Sequence, residues 1–242
     1  MSHVVLLGAG LGARLRPLTD DRPKCVVEVA GEPLARRMLR QFADRGVKRA
    51  TVVVGHFAAR ARDLIGPAIG DMQVAFVENT DYATTNTMYS TLLAIDALSS
   101  GGYLVEGDII AADSVIDRLV GADPACSHWA VDAWTPEHSG SRLWTSGSRT
   151  ITKQEIFRAH TAANVPNAWK SSGMLRLDAA TARRLAQLLR DEPNRNIYYD
   201  DVIGKHVDAL GIRVLDLEGA PWFEIDDLDD MARARAMFED QR

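Results

Sequence analysis

The sequence predicts an α/β fold built on a doubly wound, mainly parallel sheet. Short apolar runs alternate with helix-period stretches from residue 4 to about residue 120. The four apolar runs in that half end at Gly8, at Gly55-His56, at Glu78-Asn79 and at Glu106-Gly107-Asp108. Ligands of such sheets sit beyond the carboxyl ends of the strands, so these four ends converge on one shared site.

Val4–Leu7 is an unbroken apolar run, as a strand buried on both faces requires. Pro33 opens a helix with Leu34, Met38, Leu39 and Phe42 on one face, and Gly46 ends it. Ala50–Val54 is the second strand, and Phe57–Ile65 is a short helix. Val74–Val77 is the third strand. The polar stretch Glu78–Thr87 leads into a helix over Thr87–Leu98, capped by Thr85 or Asn86. Tyr103–Val105 is the fourth strand, and Asp113 or Ser114 caps a helix to about Val120.

The second half is less regular. His128–Trp134 alternates as a strand does, Thr135–Gly147 reads as loop, and Thr150–Phe157 and Ser171–Leu177 read as strands extending the sheet over the site. Ala179–Arg190 and Tyr199–Leu210 are helical, and Ile212–Leu217 and Trp222–Ile225 are strands. Leu228, Met231 and Phe238 form the apolar face of a last helix. No repeat or linker interrupts the chain, so residues 1–242 read as one domain.

Composition excludes several function classes. A net charge of -5 leaves no broad basic field for nucleic acid. Cys25 and Cys126 make neither a metal spacing nor a disulfide framework, which fits a reducing cytoplasm. The start of the chain lacks the pattern of a secretory leader, and no apolar run approaches the ~18–20 residues of a membrane span. The six histidines include no pair at i, i+4, which argues against zinc.

The stretch after the first strand carries the chemistry. Gly8, Gly10 and Gly12 let the backbone come close to a ligand and turn N–H groups towards it. Arg14, Arg16 and Lys24 add fixed positive charge, on a loop stiffened by Pro17 and Pro23. The third glycine comes one residue early for a dinucleotide fingerprint, and Gly12 lacks the Lys-Ser/Thr of a Walker loop. A lone G-x-G is a tight turn; joined to Arg14, Pro17-Leu18-Thr19 and Pro23-Lys24 it describes a triphosphate binder.

That run, GAGLGARLRPLTDDRPKCVVEVAGEPL, resembles the signature of the nucleotidyltransferase superfamily that activates sugar phosphates and small phosphate alcohols. The family pattern is G-x-G-[ST]-R-[LM]-x-P-L-T followed by P-K, and Ala13 departs from it slightly. Glu106-Gly107-Asp108 and Asn86-x-x-Tyr89-Ser90 are similar to the bacterial phosphocholine and phosphonate cytidylyltransferases. Phe223-Glu224-Ile225-Asp226 resembles the family's C-terminal E-I-[DN] segment, while Thr135–Ser171 matches nothing in it.

The resemblance implies a Rossmann-like nucleotidyltransferase sheet with a small substrate-covering lobe, residues 1–125 binding nucleotide and 126–242 the acceptor. It implies Mg²⁺-dependent transfer of CMP from CTP to a small phosphate or phosphonate, with release of pyrophosphate. Arg14 and Lys24 would be catalytic, and Asp108 and Asp226 would hold the metal. Leu7, Gly8, Ala9, Gly10, Leu11 and Gly12, with Glu78, Asn79, Asn86 and Ser90, would bind the nucleotide. Tyr89, Lys153, Lys170, Tyr199 and Asp200 would bind the acceptor. A homodimer is a possible assembly.

Plainer readings stand beside these. Asp108, Asp226 and Asn86 suit caps, Tyr89 suits packing, and Asp200 and Asp201 suit a helix start. Tyr198-Tyr199-Asp200-Asp201 suits an ammonium head group, whereas Arg142, Lys153 and Lys170 suit an anionic one. The competing functions are a sugar-1-phosphate nucleotidyltransferase using UTP or another NTP, and an inactive nucleotide-binding regulatory module.

Overall fold

A computed structural model describes residues 2–136, 138–157, 165 and 167–238. In chain order, β1 (His3–Leu7) leads through 3-10 turns at Ala13–Leu15 and Lys24–Val26 into a ribbon of β2 (Glu28–Val29) and β3 (Glu32–Pro33). Next come α1 (Leu34–Asp44), β4 (Arg49–Val54), α2 (Ala58–Ile65), β5 (Ala68–Ile69), β6 (Met72–Glu78) and α3 (Thr87–Ala94). β7 (Gly102–Glu106), β8 (Ile109–Ala111) and α4 (Asp113–Gly121) complete the first half. The second half adds β9 (His128–Ala133), β10 (Gly140–Thr145), β11 (Ile151–Phe157), β12 (Ala168–Leu177) and α5 (Ala179–Asp191). It ends with α6 (Tyr199–Lys205), α7 (Val207–Leu210), β13 (Arg213–Asp216), β14 (Trp222–Glu224) and α8 (Leu228–Phe238).

One sheet runs β11-β10-β12-β7-β1-β4-β6-β5, with β9 also pairing onto β12 and β13 onto β9. Its centre, β7-β1-β4-β6, is parallel, with Val5 opposite both Thr51 and Leu104. β12 lies antiparallel to β7, so hydrogen bonds rather than a linker connect the two halves. Strand side chains alternate between faces. Val4, Leu6, Val52 and Val105 pack with Met38 and Phe42 of α1 on one face. Val5, Leu7, Val53 and Leu104 pack with Met88, Trp129 and Leu185 on the other. This double burial is why β1, β4 and β7 read as continuous apolar runs.

Several elements differ from expectation. Gly140–Thr145 is not loop but β10, paired with β11 and β12; Gly140 at φ 89° and the polar Ser141-Arg142 hide its period. The helix expected over Thr87–Leu98 tightens to 3-10 from Ile95, and that over Tyr199–Leu210 breaks at His206. Neither Asp113 nor Ser114 caps α4: Ala112 holds that position with no side-chain bond, and Asp113 instead accepts from Gln41. Asn86 does cap α3, its Oδ1 accepting from the Thr87 N–H at 2.8 Å.

β14 leaves the main sheet and pairs with β8, over a third apolar cluster that includes Leu15, Ile110, Ile225, Met231 and Phe238. The Ile225 N–H donates to the Asp108 carbonyl at 3.0 Å, which brings the segment around residue 226 beside the end of β7.

Gly107 lets the chain leaving β7 stay close against the end of β1. Its N–H donates to the Leu7 carbonyl at 2.8 Å, and a Cβ there would lie 2.6 Å from that oxygen and 3.0 Å from Cys25 Cβ. Gly107→Ala should therefore lower unfolding stability by about 1–3 kcal/mol, because backbone must shift to admit the methyl. Urea denaturation should show a lower midpoint at unchanged slope, and an unchanged midpoint would sink this account.

Candidate active site

The glycine loop delivers a lysine to two carboxylates. Gly12 stands at φ 61°, and a Cβ there would lie 2.8 Å from Lys24 Cβ, so the loop closes directly onto Lys24. Thr19 fastens the fold-back, its hydroxyl donating to the Gly12 carbonyl at 2.9 Å. Lys24 Nζ then donates to Asp108 Oδ2 at 2.8 Å and to Asp226 Oδ1 at 2.7 Å. Arg14 Nη2 lies 3.0 Å from the same Asp226 oxygen.

Burial works against the Lys24 charge, but Asp108 and Asp226 outweigh it and hold the ammonium above its ordinary range. Burial likewise opposes ionisation of Asp226, and Lys24 and Arg14 outweigh that, keeping this carboxyl below the usual carboxylate range. Asp226 is free for this role because Asp227 and Asp230 perform the capping. Asp230 N–H donates to Asp227 Oδ1 at 2.9 Å, and Asp230 Oδ2 accepts from Asp226 and Asp227 N–H.

Glu224 joins them. Oxygens of Asp108, Glu224 and Asp226 lie within 4.8 Å of one another, and Asp108 Oδ1 is buried with no hydrogen-bond partner among the described residues. Clustered anionic oxygens with an unsatisfied buried acceptor suit a hard divalent cation. Sequence reasoning passed over Glu224, although its spacing from Asp226 was the available signal: residues two apart on an extended chain share a face.

Two cavities meet at Glu106 and Asp108. The first, of about 140 Å³, is lined by Leu7, Ala9, Gly10, Asn79, Tyr82, Thr85, Asn86, Thr87 and Ser90 with those two acids. Six of the expected nucleotide residues are therefore together: Leu7, Ala9, Gly10, Asn79, Asn86 and Ser90. Asn79 Nδ2 donates to Thr85 and to Ser90 Oγ, each at 3.1 Å, fixing the floor. Gly8 packs instead against Cys25, Gly12 against Lys24, and Leu11 points outward. Glu78 is drawn away to Arg62, at 2.6 Å on the surface.

The second cavity, of about 370 Å³, adjoins Arg14, Ser139, Gly140, Ser141, Ile156, Phe157, Lys170, Tyr198, Asp200, Glu224 and Asp226. Lys170 and Asp200 thus come together as expected, with Lys170 Nζ 3.0 Å from Glu224 Oε2. Asp201 accepts from the Tyr198 N–H and serves as the cap, while Asp200 turns inward and accepts from the Ser141 hydroxyl. Tyr199 is fully buried behind the wall and donates to Glu106 Oε1 at 2.8 Å. Tyr89 lines neither cavity and lies beneath the Arg195 guanidinium, 5.6 Å from its ring centre. Lys153 is exposed at the sheet edge, 2.6 Å from Glu155.

Burial pushes Glu106 well above the usual carboxylate range, and Asp200, Asp108 and Glu224 push it further. Burial also raises Asp200 to about 6, against the Ser141 hydrogen bond and Lys170. The Asp200 charge is present above that pH and lost below it. If this carboxylate attracts an acceptor cation, affinity for an aminated acceptor should fall as pH drops through about 6. At pH 5 the loss should be roughly tenfold. Binding titrations against Asp200→Asn check this: the step should vanish in the variant, and a step retained there would assign it to the ligand.

A family model for the MobA-like NTP transferase domain matches residues 4–209. The chain is 31% identical to CMP-5'-(3-aminopropyl)phosphonate synthase of Streptomyces rubellomurinus over 99% of its own length, and it spans 39% of that protein. It is 26% identical to 2-aminoethylphosphonate cytidylyltransferase of Lancefieldella rimae, covering 96% of this chain and 91% of that one. The fold matches the structure of CTP:phosphocholine cytidylyltransferase from Streptococcus pneumoniae at a TM-score of 0.83 and 22% identity, over 98% and 99% of the two chains.

Proposed function

The chain belongs to the MobA-like NTP transferase family, and on that premise we propose that it transfers CMP from CTP to a small aminoalkyl phosphonate or phosphate, releasing pyrophosphate. The observation that carries this reading is the meeting of two cavities at one carboxylate cluster. The first supplies amide and hydroxyl groups, and the second carries Asp200 where a head group would sit. Relatives named for aminopropyl- and aminoethylphosphonate support an acceptor with a primary amine.

CTP seats in the first cavity, its triphosphate running beneath the glycine loop towards Lys24 and Arg14. The acceptor oxygen, anionic at neutral pH, attacks the α-phosphorus, and pyrophosphate departs in line. No general base is needed, so the protein contributes positioning and charge. Lys24 and Arg14 neutralise charge growing on the leaving group. Asp108, Glu224 and Asp226 would hold Mg²⁺, which when bound would supply positive charge against the repulsion between the two anionic reactants. Lys170, kept protonated by Glu224, faces the acceptor's phosphonate, and Asp200 faces its ammonium.

Pyrophosphate release across CTP, UTP, ATP and GTP, each with 2-aminoethylphosphonate, 3-aminopropylphosphonate, phosphocholine or glucose-1-phosphate, tests the reading. Release should require CTP and an aminated acceptor together. Preference for UTP with the sugar phosphate would replace the proposal with the sugar-nucleotide alternative.

A further inference from the structure

Beside the second cavity lies a corner of aromatic rings already filled by a cation of the protein. Arg142 sits on β10, directly across the ladder from Lys170 on one side and Glu155 on the other. Residues directly opposite in an antiparallel pair share a face, so Arg142 stands on the face from which Lys170 lines the cavity. Its guanidinium carbon lies 3.9 Å from the centre of the Trp134 ring and 3.6 Å from that of Phe157. The two rings are inclined at 59°, with centres 6.1 Å apart, and the guanidinium wedges between them.

Arg142 is 2% exposed, and its Nε and Nη2 are buried with no hydrogen-bond partner among the described residues. The flanking charged residues are otherwise engaged, Glu155 with Lys153 and Lys170 with Glu224. Ring faces are thus what compensates the guanidinium. Phe157 belongs to both settings: it packs on Arg142 and it lines the acceptor cavity.

Ring faces and carboxylates select different cations. A quaternary ammonium has no N–H to donate and relies on ring faces, whereas a primary ammonium donates three hydrogen bonds. Resting on the acceptor reading above, we infer that Arg142 is a specificity-determining residue: by occupying the Trp134–Phe157 corner it denies those faces to an alkylated ammonium and leaves the head group to Asp200. The acceptor class is therefore a phosphonate or phosphate with a primary amine, and the Arg142 charge adds repulsion against a trimethylated head turned towards the rings.

The test compares 2-aminoethylphosphonate with its N,N,N-trimethyl derivative, so only the head group changes. The wild-type enzyme should prefer the amine in kcat/KM. Arg142→Met, checked for folding by circular dichroism, should move the ratio about tenfold towards the trimethyl compound, mainly through KM. Arg142→Lys, which returns a cation to the corner, should restore the wild-type ratio. A folded Arg142→Met enzyme with the wild-type ratio overturns the assignment while the acceptor reading stands. If CTP reacts with neither compound in the wild-type enzyme, the acceptor reading falls and the assignment with it. Should Arg142→Met fail to fold, the wild-type enzyme decides alone. As a competitor of the amine, the trimethyl compound should show an inhibition constant at least about tenfold above the amine's KM. Comparable values overturn the inference.

Discussion

Asp108→Asn should lower turnover by on the order of 100- to 1,000-fold, with the fold retained. The side chain keeps its size but exchanges an anionic acceptor for an amide, which binds a hard cation poorly and adds an N–H. Among the described residues, Asp108 Oδ1 has no partner to lose, and Oδ2 loses the bond to Lys24. The Asp108 carbonyl still accepts from Ile225, so β14 stays docked against β8. Steady-state kinetics with saturating CTP and acceptor, beside a melting curve, gives the answer. Mn²⁺ titration should show weakened binding in the same variant. Wild-type turnover in a folded Asp108→Asn protein would remove the metal assignment and leave Asp108 as a partner of Lys24 only.

Lys24→Met should cost a similar factor, on the order of 100-fold or more, for a different reason. The methionine fills the buried path of the alkyl chain but brings no charge to the leaving pyrophosphate. The variant should also carry a signature that Asp108→Asn lacks. Lys24 bridges Asp108 and Asp226 at 2.8 and 2.7 Å, so its removal leaves two half-buried carboxylates facing each other. The melting temperature should therefore drop without divalent cation and recover when Mg²⁺ is added, by a larger increment than in the wild-type protein. A variant that loses activity but melts like wild type in both buffers would mean that Lys24 is not what holds the two carboxylates together.

The parallel half of the fold was legible because burial on both faces writes an apolar run that nothing else explains. The strand-end positions of Gly8, Gly55 and Asp108 then followed from the pattern, and Leu7, Ala9, Asn79 and Ser90 line one cavity as those ends require. The antiparallel half was harder. β10 buries Ser141 against Asp200 and Arg142 between the Trp134 and Phe157 rings, so its pattern resembles loop. Glu224 and Asp226 were separated by that difficulty: seen as a strand followed by a cap, only Asp226 stood out. Lys153 and Tyr89 carry the expected chemistry but face elsewhere, and a side chain's facing in a strongly twisted antiparallel region is set by register, which a single sequence does not record. Asp200 and Asp201 make the point most directly. Adjacent carboxylates at one helix start divide into a buried group at the cavity and a backbone cap, and only the turn of α6 decides which is which.

The ladder from Gly102–Val105 of β7 to Met174–Leu177 of β12 has a mechanical consequence. A hinge between the halves would have to break strand pairing at the middle of the sheet, so the relation of Asp108 at the end of β7 to Lys170 on β12 is set when the chain folds. Alignment of two mutually repelling anions is then largely preorganised, and little reorganisation of the backbone remains for the moment of reaction. Adjustment falls to side chains such as Arg14, whose own exposure of 67% leaves it room to move.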